Sequence, residues 1–169
     1  MTLRYAKKQL KTLLALCFTD APETSHHWRV FAPGSTGVCI RFNKSKLLDT
    51  VDKQTGFQHQ KVKYKTFEKL EKRPPLTNIL PFLKRYAYRD EEEYRLIYSD
   101  KKAKSKQYKH LKINVNIISK IVLSPLLHKS LVASLKETLK SIEGCQRLTI
   151  GITTINDSKR WARTGEKSV

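Results

Sequence analysis

Four acids stand side by side at 90–93, and they lead directly into the apolar segment Tyr94–Tyr98. The chain has 15 acidic residues against 34 lysines and arginines, so this acidic run opposes the trend of the sequence. The segment that follows is rich in β-forming residues, which predicts that at least one carboxylate lies at the start of a strand. A carboxylate held there beside Arg95 would have a fixed direction and a shifted pKa, as acid/base or metal chemistry requires.

Two interpretations of the acidic run stay open. In the first, Glu93 is the main catalytic carboxylate, Glu91 is the second, and Arg95 lies on the same strand face as Glu93 because the two are two residues apart. In the second, the acids are structural and form salt bridges, which also shift carboxylate pKa values. A metal-dependent nuclease is a weaker hypothesis, because Arg95 stands where such sites use lysine and arginine does not replace it well.

His26, His27 and Trp28 form another group of residues suited to chemistry. Adjacent helical residues point about 100° apart, so the two histidines cannot easily bind one ion, and we predict no metal site. His26 or His27 is a candidate nucleotide contact or general base, with an ordinary, partly exposed histidine as the alternative; His27 is the one assigned to ligand binding. Trp28 and Phe31, three residues apart, share a helix face, which is typical of core residues.

The formal net charge of +19 predicts a polyanionic partner, and it favours nucleic acid over a membrane surface. Nine lysines and no acid lie between Asp100 and Glu137. Clustered cations are sufficient for non-specific phosphate binding, although a solubilising loop is the alternative. The six lysines of the densest part, called the lysine segment below, are Lys101, Lys102, Lys104, Lys106, Lys109 and Lys112.

Short strands and helices in mixed order must position these residues. The patterning predicts an α+β fold with a mixed, mostly antiparallel sheet. Gly56–Gln60 is predicted as a loop. The predicted strands include Leu13–Phe18, Val38–Phe42, Lys61–Tyr64, Tyr94–Tyr98, Ile117–Leu123 and Arg147–Ile155, and the predicted short helices include Ser25–Ala32 and Ile79–Tyr88.

A long amphipathic helix is predicted to follow Ser124, and Pro125 suits its first position. Its leucines recur every three or four residues until Gly144 ends the helix. We expect the helix to pack on the sheet, with Leu131 and Leu135 buried.

The length of 169 residues predicts one α+β domain over residues 1–156 and a basic polar tail over 157–169. A chain of this size can form a core without disulfides or metals. Cys17, Cys39 and Cys145 are isolated, which predicts reduced core thiols. With no signal-peptide pattern and no membrane-length apolar run, the sequence predicts a cytoplasmic protein.

A series of short blocks runs along the chain in a defined order. They are Trp28-x-x-Phe31-Ala32, Gly37-Val38-Cys39-Ile40-x-Phe42, Val62-x-Tyr64, Lys84 and Glu91-x-Glu93-Tyr94-Arg95-Leu96. Their order and spacing resemble a widespread, largely uncharacterised bacterial family of domains of unknown function, over roughly residues 10–155. Phe31 stands where the family has tyrosine, and Tyr88 where it has tryptophan. The resemblance makes Lys84 a candidate ligand-binding residue.

Members of that family carry an earlier strand region that this chain lacks. The resemblance therefore implies a shortened form or a fragment, or a partner chain or second copy that supplies the missing surface. The family's layout is faintly similar to ADP-ribosyltransferases, which use NAD. By this analogy Glu93 is the catalytic carboxylate, Glu91 is second, and Trp28 or His27 lies near the nicotinamide.

Two hypotheses for the function follow. The first is an enzyme of toxin, defence or mobile-element type that acts on nucleic acid or a nucleotide, with NAD as a possible cofactor by analogy. The second is a non-catalytic module that binds nucleic acid through the lysine segment. Under the first, Glu93 and Arg95 would share a cleft with His27 and Trp28.

Overall fold

The computed structural model describes residues 12–101, 107–155, 163, 164 and 166. The α+β class with mostly antiparallel sheets is confirmed. Its strands are β1 (Thr12–Thr19), β2 (Val38–Phe42), β3 (Phe57–Lys61), β4 (Lys63–Lys65), β5 (Leu83–Arg85), β6 (Glu93–Asp100), β7 (Ile118–Leu123) and β8 (Ile150–Ile152). Its α-helices are α1 (Ser25–Phe31), α2 (Lys44–Asp52), α3 (Phe67–Lys72) and α4 (Leu131–Ser141), and 3-10 turns span Thr77–Phe82, Tyr86–Glu91 and Val115–Ile117.

The chain divides into two compact units, each made of two separate stretches. Unit 1 comprises Met1–Pro22 and Ser45–Ile113, and unit 2 comprises Glu23–Lys44 and Asn114–Val169. The single domain predicted for residues 1–156 stays a prediction, and most of the predicted tail lies outside the described residues. Within the described part of the chain, no helix is long and apolar enough to cross a membrane.

The main sheet of unit 1 has β6 at its centre, with β1 and β3 antiparallel on either side. Leu96, Ile97 and Tyr98 are consecutive and all buried, so both faces of β6 are covered along this stretch. The register places Thr19 of β1 opposite Glu93 and Cys17 opposite Arg95. The first residues of β6 are therefore held by neighbours on both sides.

Two smaller sheets complete the structure. In unit 1, β4 and β5 form a parallel pair in which Lys65 lies opposite Arg85. In unit 2, β7 lies between antiparallel β2 and parallel β8, and Val122 and Leu123 of β7 are buried. Ser124 ends β7, and its hydroxyl donates to the Gly34 carbonyl at 2.7 Å.

Two predictions for local structure in unit 1 are wrong, and a third has shifted bounds. The segment Ile79–Tyr88 is not a helix: it contains β5 between two 3-10 turns. Pro81 lacks an N–H group and disrupts a regular helix, while pairing with β4 gives the next residues a partner. The predicted loop Gly56–Gln60 is instead β3, because β6 supplies it with a partner that local patterning does not reveal. The edge strand predicted over Lys61–Tyr64 corresponds to β4, which lies in a two-stranded sheet with β5, so only its bounds are shifted.

Two predictions for unit 2 are too long. The final strand was expected to span Arg147–Ile155, but β8 covers only Ile150–Ile152. The long helix was expected from Pro125, but α4 begins at Leu131. The intervening residues form turns with i to i+3 bonds: Leu127 N donates to Ser124 O, and Leu131 N donates to His128 O.

The predicted burial of α4 is wrong, since none of its residues is buried. Leu131 is 52% exposed and Leu135 is 37% exposed, whereas Leu127, in the preceding turn, is buried. The core-thiol prediction is also wrong for Cys17, which is exposed, while Cys39 and Cys145 are partly exposed.

Because Leu135 already contacts water, Leu135→Ala is expected to lower the free energy of unfolding by about 1 kcal/mol or less. The matched change Leu123→Ala, at a position 3% exposed in β7, is expected to cost about 2–5 kcal/mol. Urea unfolding of both variants measures the difference. Equal losses would show that α4 is covered in solution.

Candidate functional site

The acidic run is a sharp turn that delivers Glu93 into β6. Glu92 adopts a left-handed conformation with φ 41°, which is uncommon for a residue with a Cβ. Its carbonyl accepts from the Asp20 N–H at 3.0 Å. The Glu93 N–H donates to the Tyr64 hydroxyl at 2.8 Å, and its carbonyl accepts from the Val62 N–H at 2.8 Å. Glu93 is thus fixed on both sides of its backbone.

The Glu93 carboxylate is buried and paired with two cations. Arg95 holds it in a two-point contact, with Nε 2.7 Å from Oε1 and Nη2 2.9 Å from Oε2. Lys84 Nζ lies 3.2 Å from Oε2, and the side chain of Glu93 is only 6% exposed. Lys84 also binds Glu91, whose side chain is 12% exposed. Two acids and two bases therefore form one neutral group, called the carboxylate cluster below: Lys84, Glu91, Glu93 and Arg95.

Neighbouring elements supply the outer contacts of the carboxylate cluster. Arg95 Nη1 donates to the Pro81 carbonyl in the 3-10 turn that precedes β5. The Thr19 hydroxyl donates to the Glu91 carbonyl at 2.6 Å. Cys17 lies directly opposite Arg95 in the β1–β6 register, and its thiol is one of the groups that lower the pKa of Glu93.

Burial and pairing compete in setting the pKa values of the carboxylate cluster. Burial alone would raise the pKa of Glu93, but hydrogen bonds from Arg95, Cys17 and Lys84 outweigh it and lower the pKa to about 2. Burial would lower the pKa of Lys84, yet its bonds to the two carboxylates raise it. The bonds to Glu93 likewise raise the pKa of Arg95. All three groups are charged at neutral pH.

These properties define what the carboxylate cluster can do chemically. A carboxyl group with a pKa near 2 is a poor proton donor and a weak base at neutral pH. Although Cys17 is exposed as a residue, partial desolvation of its sulfur, followed by the interaction with Glu93, raises the pKa of the thiol, so this cysteine is not an activated nucleophile. The arrangement suits electrostatic stabilisation of a nearby charge or a structural anchor for β6.

His27 and Trp28 belong to unit 2, whereas the carboxylate cluster belongs to unit 1. The common cleft predicted for them therefore stays a prediction. The Trp28 indole is 7% exposed, and its Nε1 donates to Glu23 Oε1 at 2.7 Å. The other oxygen of Glu23 binds Arg41 at 2.9 Å.

His27 contributes to the start of α1. Its backbone N–H donates to the Thr24 hydroxyl at 3.3 Å, and its Nδ1 lies 3.0 Å from the same oxygen. A shallow groove of about 350 Å³ in unit 2 is lined partly by Ser25, Trp28 and Arg29. A role for His27 or Trp28 in binding a ligand stays a prediction.

The lysine segment is described only in part, because Lys102, Lys104 and Lys106 lie outside the described residues. Lys101, Lys109 and Lys112 are exposed. Tyr108 is 70% exposed, and its ring meets that of His110 edge-on with centroids 5.1 Å apart.

A family model described as a protein of unknown function, DUF2971, matches residues 27–120. The chain belongs to this family. The match confirms the prediction of an uncharacterised family, and it includes His27, Trp28, the carboxylate cluster and the lysine segment. No curated protein and no solved structure matches the chain. The analogy to ADP-ribosyltransferases stays a hypothesis.

A second polar network in unit 1 of this DUF2971 chain has no signal in the sequence. His59 Nε2 lies 3.0 Å from Asp52 Oδ1, and its Nδ1 lies 2.7 Å from the Tyr94 hydroxyl. Residues 56–60 are predicted as a loop, which gives no reason to place His59 near Tyr94. Only the pairing of β3 with β6 brings these two residues together. Among the described residues, no three His, Cys, Asp or Glu side chains are grouped to hold a metal ion.

Sequence patterns also fail to identify three other partners of the predicted site residues: Cys17 and Tyr64 in unit 1, and Glu23 in unit 2. Cys17 and Tyr64 each contact a predicted site residue that is far away in sequence, whereas Glu23 lies only five residues before Trp28. No local pattern marks these partners. Predicting the strand Leu13–Phe18 is not enough to place Cys17 near Glu93, because that also requires the register of β1 against β6.

Proposed function

We propose that this DUF2971 chain binds nucleic acid, and that the lysine segment supplies phosphate contacts. The observation that carries the proposal is the exposed group Lys109–His110–Lys112 around Tyr108, in a stretch that contains no acid. Cations that have no carboxylate nearby are free to exchange their counterions for phosphates. The net charge of +19 supports the same kind of partner.

The geometry around Tyr108 adds a second kind of contact. The side chains of Gln107, Tyr108, Lys109, His110 and Lys112 line an open groove of about 470 Å³. An exposed tyrosine among cations can stack on a base while the cations contact the backbone. Lys109 Nζ also lies 5.3 Å from the Tyr98 ring centroid, which ties this lysine to the end of β6.

The double variant Lys109→Ala/Lys112→Ala tests the proposal. Each lost phosphate contact is expected to reduce the slope of log affinity against log salt by up to about one, so the pair should reduce it by up to about two. Fluorescence anisotropy with a labelled oligonucleotide between about 50 and 200 mM salt measures this slope.

The matched control is Lys129→Ala/Lys140→Ala, which removes the same charge from two exposed positions of unit 2. It is expected to leave the slope close to that of the parent chain. Binding that does not depend on salt, or equal changes in both double variants, would contradict a specific role for the lysine segment.

The second candidate function is an enzyme of toxin, defence or mobile-element type that acts on nucleic acid or a nucleotide. What favours it is that β6 begins with a carboxylate that is ionised at neutral pH and is held in a fixed position by two cations. NAD as its cofactor rests only on the analogy to ADP-ribosyltransferases. Substitution of Glu93, described in the Discussion, tests this candidate.

A further inference from the structure

Three large aromatic side chains are exposed beside the β4–β5 pair of unit 1. Phe67 is 59% exposed, Tyr86 is 50% exposed and Tyr88 is 41% exposed. Aromatic rings normally contribute much of a core, so a group of them left in water marks an interaction site. Together with two arginines they form what is called here the aromatic–arginine face: Phe67, Arg85, Tyr86, Tyr88 and Arg89.

Arginines hold these rings in place. The guanidinium carbon of Arg85 lies 5.9 Å from the Phe67 ring centroid and 5.4 Å from that of Tyr88, and Arg85 Nη2 donates to the Tyr88 hydroxyl at 3.2 Å. The guanidinium of Arg89 lies 4.8 Å from the Tyr86 centroid. Cation–π contacts fix both partners while leaving much of each ring exposed.

The charge of this face lacks compensation. Lys65 lies directly opposite Arg85 in the β4–β5 register, and like charges at opposite positions destabilise a strand pair. Neither of them has a carboxylate partner among the described residues, while Arg89 has only the exposed Asp90 at 3.7 Å. Residues 61–89 include nine lysines and arginines and two acids, and three of these cations, Lys61, Lys84 and Arg89, pair with acids of the run 90–93. An anionic ligand would relieve this repulsion.

We propose that the aromatic–arginine face binds single-stranded nucleic acid, with unpaired bases stacked on Phe67, Tyr86 and Tyr88 and phosphates held by Arg85 and Lys65. The inference rests on the proposed function and specifies the form of nucleic acid. Bases in a duplex stack on each other and offer no free ring face, whereas those of a single strand do. Rings in contact with arginines suit a polymer that carries both bases and phosphates.

The double variant Phe67→Leu/Tyr86→Leu tests this assignment, because leucine keeps apolar volume and removes the aromatic ring. Affinity for a single-stranded oligothymidine is expected to fall about tenfold or more at constant salt, while the slope with salt stays unchanged. Affinity for a duplex of equal length should not change. Tyr86→Phe, which keeps the ring, should bind like the parent chain.

Leu76→Ala is the matched control, since Leu76 is an exposed apolar residue of unit 1 at 71% exposure. It is expected to leave affinity for the single strand unchanged. Circular dichroism melting confirms that each variant is folded before its affinity is measured. Equal binding of the double leucine variant and the parent, or equal losses for single strand and duplex, would overturn the assignment.

The outcomes also separate this inference from the proposed function. If the lysine variants lose salt dependence but the leucine variant binds normally, only the assignment of the aromatic–arginine face is contradicted. If the leucine variant alone weakens binding, the assignment of the aromatic–arginine face is supported and the proposed role of the lysine segment is contradicted. A parent chain that binds neither nucleic acid overturns both, as does ring-dependent binding to anionic vesicles without binding to oligothymidine.

Discussion

Glu93→Ala is expected to lower the free energy of unfolding by about 3–5 kcal/mol. The substitution leaves Arg95 and Lys84 without their shared carboxylate, and the side chains of these cations are only 15% and 25% exposed. Removing one member of a buried ion pair leaves the remaining charge buried and unpaired. The resulting loss of folding free energy exceeds what the pair contributed. Urea unfolding at neutral pH measures the loss.

The neighbouring change Glu92→Gln is the matched control. Glu92 pairs with Lys61 at 3.1 Å, but both side chains are about half exposed. An exposed ion pair of this kind contributes about 0–1 kcal/mol, so little change in stability is expected. A similar loss for Glu92→Gln and Glu93→Ala would contradict the anchor role of the buried carboxylate cluster.

Glu93→Gln separates the structural and catalytic hypotheses. It keeps the shape of the side chain and removes the charge, so an anchor role predicts lower stability with biological activity intact. A catalytic role predicts the reverse, with activity lost and stability little changed. Melting temperature, toxicity in a bacterial host and NAD turnover are the measurements. A destabilised but fully active Glu93→Gln would end the catalytic hypothesis.

Low pH is expected to destabilise unit 1, because it protonates the Glu93 carboxylate. The pKa of Glu93 is about 2 in the folded chain and 4.5 ordinarily, so the unfolded state binds a proton more readily. The stabilisation is therefore fully present above pH 4.5 and is lost as the pH falls towards 2. A shift of this size corresponds to about 3 kcal/mol.

Urea unfolding across this acidic range tests the linkage. The parent chain should lose stability steeply as the pH falls, and Glu93→Ala should show a flatter dependence because it lacks the titrating group. Glu23 in unit 2 also contributes: burial would raise its pKa, but bonds from Thr153, Trp28 and Arg41 lower it. Glu92→Gln should keep the slope of the parent. An unchanged slope in Glu93→Ala would show that Glu93 does not carry the acid sensitivity.

Much of the candidate site was accessible from sequence because it lies on one strand. Alternation placed Glu93 and Arg95 on one face of a strand, and the structure shows them in a two-point contact. Lys84 was identified only through the family blocks, and its position beside both carboxylates depends on the fold. Cys17 and Tyr64 had no local signal, since their contacts depend on neighbouring strands and loops.

The sequence by itself determined the α+β class, the family, and the elements with strong local patterns, such as β2, β6 and α1. Those patterns indicate which residues of a single helix or strand lie on its apolar face. Only the tertiary structure decided the pairing of β3 with β6, the replacement of a predicted helix by β5, and the exposure of Leu131 and Leu135. The physical reason is that strand pairing and burial depend on partners far away in the chain, and periodicity within a segment does not identify them.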